Sequence, residues 1–497
     1  MIARSQKENN FMPRPIAKDA AARLRSYFEE AGYTETGLTG RVSLGEFATA
    51  ETRKLPRQLE RTSEPSPGNT LIRLFWLGLE QSREAVAKLI PEDVLTILLE
   101  SGLANAAGSA IVPQVAFWPL ARFLIASDHY SAFEKARRDL VLWPNPTTHT
   151  LWRHAIRNHS AATLDLGTGN GVIGLLAALN SDTVVASDLN PRAIEFARFN
   201  ATLNGVANME TVLGDCYEPV SGRTFDLILA NPPFFITPRS DFLFCQNPLE
   251  LDGLCRRLVK EAPAHLNEGG YFEMLCEWAE IDGQPWQERI AEWMEGSGCD
   301  TWIFHAGKQV PDLYAETYIL QTVPDKSQDA ERFSEFMQYY RQRKLAAIHN
   351  GFIVMRRRSG GSRLRIEDMP TVGGDVGEAI LAGFAAHDLL EACAGDEKLL
   401  CKRLRPAADA RLSRNYVPVE NGWHMDAIHL RLESAIPAQI GLEPLVAEFF
   451  VKLDGKRTAG EAIDLMAGKT DAPAEKVRAE SLEVLRKLIE RGFLVEA

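Results

Sequence analysis

The sequence predicts an α/β fold: a largely parallel sheet in the middle of the chain, flanked by N- and C-terminal, mainly helical, winged-helix-like domains. Three observations predict it. Between about Asp139 and Arg358, short apolar runs alternate with amphipathic helical stretches, the pattern of parallel strands joined by helices. The first apolar run ends in three glycines spaced two apart, "DLGTGNG" from Asp165 to Gly171. The fourth ends in "NPPFF", Asn231 to Phe235, where two prolines without an N–H cannot continue a strand ladder.

Three domains are expected: residues 1–138, 139–358 and 363–497. In the first, Ala20–Ala31 has helical spacing and stops at Gly32. Ser63–Asn69 (SEPSPGN) reads as a loop, and Leu71–Leu79, Ser82–Leu89 and Pro91–Glu100 read as helices. "AIVPQVAF" and "ARFLIASD" alternate like two strands, with Trp118-Pro119 between them. In the second domain the expected strands are Thr163–Leu166, Thr183–Ser187, Phe225–Ala230, Gly270–Leu275, Thr301–His305 and Phe352–Arg357. The helices between them are Gly171–Leu179, Pro191–Asn204 and Leu249–Leu266. Ser359 to Ser362 (SGGS) reads as a linker, and the third domain holds helices at Gly377–Leu390, Leu442–Lys452 and Ala474–Glu490.

Composition bounds the function. At 497 residues the chain exceeds one hydrophobic core. A net charge of −12 argues against general coating of nucleic acid, though not against a local basic groove. The seven cysteines form no C-x-x-C pair, so free thiols in a reducing cytoplasm are expected and no metal site. No apolar stretch approaches the ~20 residues of a membrane span. The opening residues, MIARSQKENNFMPRP, lack the apolar stretch of a secretory leader, which predicts a cytoplasmic protein without membrane contact.

The glycines of the Asp165 segment allow a sharp turn and close approach to a ligand, and the following helix would aim free N–H groups at it. A dinucleotide fingerprint needs glycine at position 172, which is Val172. Asp188 closes the next strand, where a carboxylate can accept both hydroxyls of a ribose or cap the helix opened by Asn190-Pro191. Asp215 and Cys216 close the third.

In this order, D-x-G-x-G-x-G with acids after the second and third strands resembles class I S-adenosylmethionine-dependent methyltransferases, whose Rossmann-like sheet has seven mostly parallel strands. The resemblance implies S-adenosylmethionine as cofactor. Gly167, Thr168, Gly169 and Gly171 would hold its methionine part, Asp188 its ribose, and Asp215 with Cys216 its adenine, with Leu189 a further cofactor contact. Asp165 would order the loop and the ligand's ammonium group. Asn231-Pro232-Pro233-Phe234 resembles the tetrapeptide of family members that methylate a planar nitrogen, in adenine, guanine or a glutamine amide. The Asn231 side-chain oxygen and the Pro232 carbonyl would accept the two N–H groups of such a nitrogen, and Phe234 would stack on its flat face. Leu140–Leu151 (LVLWPNPTTHTL) stands where the family folds a segment over cofactor and substrate, so that Thr147 and Thr148 can touch either. It departs from the Pro-Arg-Pro-Glu-Thr-Glu-like segment of the release-factor glutamine methyltransferases.

The substrate is left to the flanking regions. Basic clusters at Arg341-Gln342-Arg343-Lys344, at Arg356-Arg357-Arg358 with Arg363 and Arg365, and at Lys402-Arg403 with Arg405 offer phosphate contacts. The first expectation is therefore N-methylation of an RNA base and the second N5-methylation of a protein glutamine. A small-molecule substrate or a non-catalytic binding module ranks behind both, and the oligomeric state is left open.

Overall fold

The computed structural model describes residues 11–42, 55–360, 363–369, 376–433 and 436–497. Most of the opening segment, and Gly361 and Ser362 of the expected linker, lie outside them. The chain packs as two units, Met1–Trp152 with Asn158–Asp368, and Arg153–Arg157 with Met369–Ala497.

The first unit is built on one sheet: β1 (Ser160–Leu166), β2 (Ser181–Asp188), β3 (Met209–Leu213), β4 (Phe225–Ala230), β5 (Leu266–Ile281), β6 (Cys299–Gln309), β7 (Leu345–Arg357) and β8 (Leu364–Asp368). Their order is β8-β6-β7-β5-β4-β1-β2-β3. β7 runs antiparallel to β5 and β6, and the remaining pairings are parallel. The sheet has eight strands where seven were expected, because the chain returns after Gly360 to lay β8 beside β6. A boundary at Ser359–Ser362 would therefore cut a strand from its sheet; the first unit ends at Asp368.

Helices α1 (Val172–Ala177), α2 (Pro191–Leu203) and α3 (Gly253–Glu261) cover the sheet beside the glycine loop and NPPF segment. α3 is shorter than the Leu249–Leu266 pattern predicts, since Pro263 has no N–H and turns the chain into a 3₁₀ segment over Ala262–His265. α2 is buried on more than its sheet face. Ala193, Phe196, Phe199 and Leu203 share one core with Leu24, Phe28, Val94 and Leu124 of the N-terminal region. The amides of Asn200 and Asn204 bond the backbone of Ala126 and Leu124 at 2.8–2.9 Å. Arg192 pairs with Asp128 at 2.7 Å with both side chains buried. The N-terminal region thus shares a core and a buried polar network with the α/β domain.

That region contains three of the four expected helices, as Lys18–Glu30, Arg83–Leu89 and Glu92–Glu100; the fourth, expected at Leu71–Leu79, is a π-helix over Ile72–Trp76. The Ser63–Asn69 loop already contains a helix start: Ser66 accepts from the Asn69 N–H at 3.2 Å, and Pro67 opens the first turn. Trp118-Pro119 does not separate two strands. It lies inside Ala116–Leu120, which pairs with Phe123–Ser127, while Ala110–Pro113 pairs with Ala104–Ala107. A strand with a single partner tolerates the missing Pro119 N–H.

The second unit has the three expected helices, as Gly377–Ala392, Pro444–Lys452 and Ala474–Glu490, around a core including Phe449, Phe450, Leu485 and Ile489. It also has a long hairpin, Ala410–Val419 with Gly422–Leu432, so it is less purely helical than expected.

Candidate active site

Strand register assembles the site. Leu166 of β1 is paired with Ser187 of β2 and Ala230 of β4, and Asp188 is paired with Leu213 of β3. The next residues along the chain therefore lie side by side: Gly167 between Asp188 and Asn231, and Leu189 beside Gly214. β1 and β4 adjoin where the strand order reverses, the place where open α/β sheets bind ligands. A cavity of about 520 Å³ opens there, lined by the glycine loop, Asp188, Leu189, Asp215, Cys216 and Asn231–Phe235. That volume suits a drug-sized ligand or cofactor, about 300–1,000 Å³.

Gly167, Gly169 and Gly171 have φ of 75°, 55° and 86°, and the three do different work. A Cβ on Gly167 or Gly169 would meet nothing within 4 Å, whereas one on Gly171 would meet Ala197 Cα and Cβ at 2.9 Å. The first two open onto the cavity, and the third lets α1 pack against α2. Asp165 is 2% exposed. It accepts from the Thr168 hydroxyl at 2.5 Å and the Gly174 N–H at 2.8 Å. Burial, with the nearby Asp188 charge, pushes its carboxyl up to about 7. It ties loop to helix. The Val172 N–H is likewise taken by Asn170 at 3.0 Å, so the helix start is largely satisfied from within, contrary to the free N–H groups expected of it.

Asp188 does not cap α2; Asn190 does, accepting from the Arg192 N–H at 3.0 Å. One Asp188 oxygen accepts from the Gly169 N–H at 2.9 Å and the other from the Asn190 N–H at 2.8 Å. Burial holds this carboxyl above its ordinary range. Each oxygen retains a lone pair on the cavity wall. Leu189, 61% exposed, offers an apolar flank. Asp215 lines the cavity already engaged, pairing with Arg257 of α3 at 2.8 Å and accepting from the Cys216 thiol at 3.2 Å. Arg257 holds its carboxyl below the ordinary range, and burial beside that carboxylate pushes the Cys216 thiol up to about 12. Cys216 adopts φ 47°, a left-handed turn that brings the chain across the cavity edge.

In the Asn231-Pro232-Pro233-Phe234 turn, the Phe234 N–H donates to the Pro232 carbonyl at 2.8 Å, leaving that oxygen one lone pair. The Asn231 amide NH₂ donates to the Thr147 hydroxyl at 3.0 Å. Phe234 packs on the sheet core and Phe235 lies edge-on to Tyr318, ring centroids 5.3 Å apart. Behind the turn, Tyr314 donates to the buried Glu277 and accepts from the Ile236 N–H at 3.2 Å, and Tyr340 donates to the Ile236 carbonyl at 2.8 Å. Burial pushes the Glu277 carboxyl up to about 8.

Sequence reasoning missed Arg257, whose tie to Asp215 spans 42 residues and leaves no local signal. It also left open what Thr147 touches. The cue was Asn145-Pro146, a helix-start signature: Asn145 accepts from the Thr148 N–H at 3.0 Å.

Comparison with known proteins places the chain. The "Methyltransferase small domain" family matches residues 144–279, and two domain families of unknown function, DUF7059 and DUF7782, match residues 30–114 and 381–496. The chain is 30% identical over 168 residues to a release factor glutamine methyltransferase of Geobacter sulfurreducens, covering 30% of this chain and 58% of that protein. It is 32% identical over 186 residues to the release factor glutamine methyltransferase of Xylella fastidiosa, covering 34% of this chain and 67% of that protein. A crystal structure of a methyltransferase from Pyrococcus furiosus aligns at 17% identity and a TM-score of 0.26, over 43% of this chain and 82% of that one. The chain spans 58% and 67% of the length of these two curated relatives. It belongs to the class I S-adenosylmethionine-dependent methyltransferases, related to the release factor glutamine methyltransferases.

Proposed function

We propose that this chain methylates the side-chain amide nitrogen of a glutamine in a protein, using S-adenosylmethionine. The observation that carries this reading is the Asn231-Pro232-Pro233-Phe234 turn in one cavity with the glycine loop, in a chain whose curated relatives are release factor glutamine methyltransferases. An RNA base was the first expectation, and two findings favour the protein amide over it. One is the relatives. The other is that much of the basic charge available for phosphates is paired within the protein. Arg356 and Arg358 bond Asp300 at 2.9 and 3.3 Å. Arg343 pairs with Glu250 and stacks on Tyr339, and Arg365 pairs with Glu367 at 2.6 Å. Lys402 pairs with Glu496 at 2.7 Å.

The cavity residues fit the cofactor. Open space above Gly167 and Gly169 admits the methionine part, the spare Asp188 lone pairs accept ribose hydroxyls, and Leu189 flanks the adenine. Asp215 and Cys216 form the edge that meets it, with Arg257 fixing Asp215 in place. When bound, S-adenosylmethionine supplies an electrophilic methyl on a sulfonium. An amide nitrogen is a poor nucleophile because its lone pair is delocalised into the carbonyl. Asn231 Oδ1 and the remaining Pro232 lone pair accept its two N–H groups, turning the nitrogen toward the methyl and favouring pyramidal geometry, and the nitrogen gives up one of these protons to water once its bond to carbon has formed. Phe234 supports the flat face of the amide. Two rigid prolines hold both acceptors, so no reorganisation is needed at the moment of transfer.

Calorimetric titration beside a methyl-transfer assay tests these roles. Asp188→Ala should abolish S-adenosylmethionine binding. Asn231→Ala should leave affinity within about twofold and slow turnover on the order of 100-fold, as when one preorganised hydrogen-bonding group is removed from a transition state. Equal loss of affinity and turnover in Asn231→Ala would contradict the role given to that side chain.

A further inference from the structure

The acceptor role of Asn231 requires its carboxamide to face one way, with oxygen into the cavity. We propose that Thr147 is the positioning residue that fixes this orientation. The inference rests on the reading of Asn231 given above.

The direction of every hydrogen bond follows from one backbone donor. The Thr148 N–H can only donate, and its partner 3.0 Å away is the Asn145 side chain, which must present Oδ1 there. The Thr147 hydroxyl lies 2.7 Å from that same oxygen and donates to it. With its proton committed, Thr147 Oγ1 can only accept from the group 3.0 Å away on Asn231. That group is the amide NH₂. Asn231 Oδ1 is then turned from Thr147, and Asn145, Thr147 and Asn231 all line the cavity. The helix-start bond that orders Pro146–His154 thus also sets the amide face at the reacting centre. This segment, which departs from the Pro-Arg-Pro-Glu-Thr-Glu-like sequence, uses a hydroxyl relay for the purpose.

Thr147→Val keeps the shape and removes the relay, while Thr147→Ser keeps the hydroxyl. With full-length protein, Thr147→Val should slow methyl transfer into protein at saturating S-adenosylmethionine by about 5-fold, the worth of one net hydrogen bond. Its cofactor dissociation constant should stay within about twofold, and Thr147→Ser should run at the wild-type rate. A second readout needs no turnover. The ¹H–¹⁵N side-chain signal of Asn231, assigned by its loss in Asn231→Ala, should shift in Thr147→Val and not in Thr147→Ser. An unmoved amide signal in Thr147→Val, a wild-type rate in Thr147→Val, or a serine variant as slow as valine would each overturn the inference. A shifted amide signal in an enzyme that puts no methyl into protein would sustain the orientation and sink the proposed substrate instead.

Discussion

Gly171→Ala and Gly169→Ala are the same chemical change two residues apart, and the structure separates their effects. Gly171 has φ 86°, and a Cβ there would meet the Cα and Cβ of Ala197 at 2.9 Å. A left-handed conformation costs a non-glycine residue about 1–2 kcal/mol. Backbone and the Cβ of a buried helix cannot swing aside, so overpacking adds about 1–3 kcal/mol. Gly171→Ala should therefore lose about 2–5 kcal/mol of stability. Gly169 has φ 55° and nothing within 4 Å of its Cβ position, so Gly169→Ala carries only the backbone part. Its new methyl would stand in the cavity, where the methionine part of the cofactor is proposed to lie. Thermal melting and calorimetric titration of both variants separate the two. Gly171→Ala should show the much larger fall in melting temperature. Gly169→Ala should melt close to wild type and bind S-adenosylmethionine at least about tenfold more weakly, as when a well-packed site takes an intruding methyl. Equal melting temperatures, or wild-type affinity in Gly169→Ala, would refute the division of labour.

Asp128→Ala should destabilise the first unit by about 3 kcal/mol, the lower end for breaking a buried pair, because Arg192 loses its short bonds to Asp128 and keeps only the longer pairing with Asp139 at 3.7 Å; chemical denaturation measures it. Glu277→Gln should relieve a pH-dependent loss of stability. The folded carboxyl holds its proton up to about pH 8, against an unfolded value of ~4.3. Its contribution is complete below the unfolded value and is lost as pH rises through the folded one. The melting temperature of Glu277→Gln should therefore gain on wild type from about pH 4 to 8 and level off above. A constant difference across that range would contradict the burial argument.

Much of this arrangement was legible in the sequence, for physical reasons that differ by element. Phe225–Ala230 matches β4 at both ends, since an interior strand buries nearly every residue and Pro232-Pro233 must stop it. Gly167, Gly169 and Gly171 could be singled out because three positive-φ positions in five residues demand glycine. What escaped depends on distant partners or exposed surface. The Asp215–Arg257 pair joins residues that sequence does not bring together, so Asp215 looked like a free acceptor. Asp188 was weighed as a helix cap, yet the next polar side chain, Asn190, does the capping. The hairpin of the second unit is largely solvent-exposed, so its apolar alternation is faint, although Asn421-Gly422 at its tip was a usable signal. β8 was hidden because a strand after a glycine linker reads locally as the start of something new.

The fate of a labelled methyl group tests the central claim most directly. Protein and RNA from a strain lacking the enzyme are incubated with the purified chain and methyl-labelled S-adenosylmethionine, then digested separately with protease and with RNase. Label on a protein glutamine is lost to protease and kept through RNase, the expected result. Acid hydrolysis should further release that label as methylamine, since cleaving an N-methyl amide returns glutamate and methylamine. Label lost to RNase, or label in protein that survives acid hydrolysis on an amino acid, would contradict a protein-glutamine substrate.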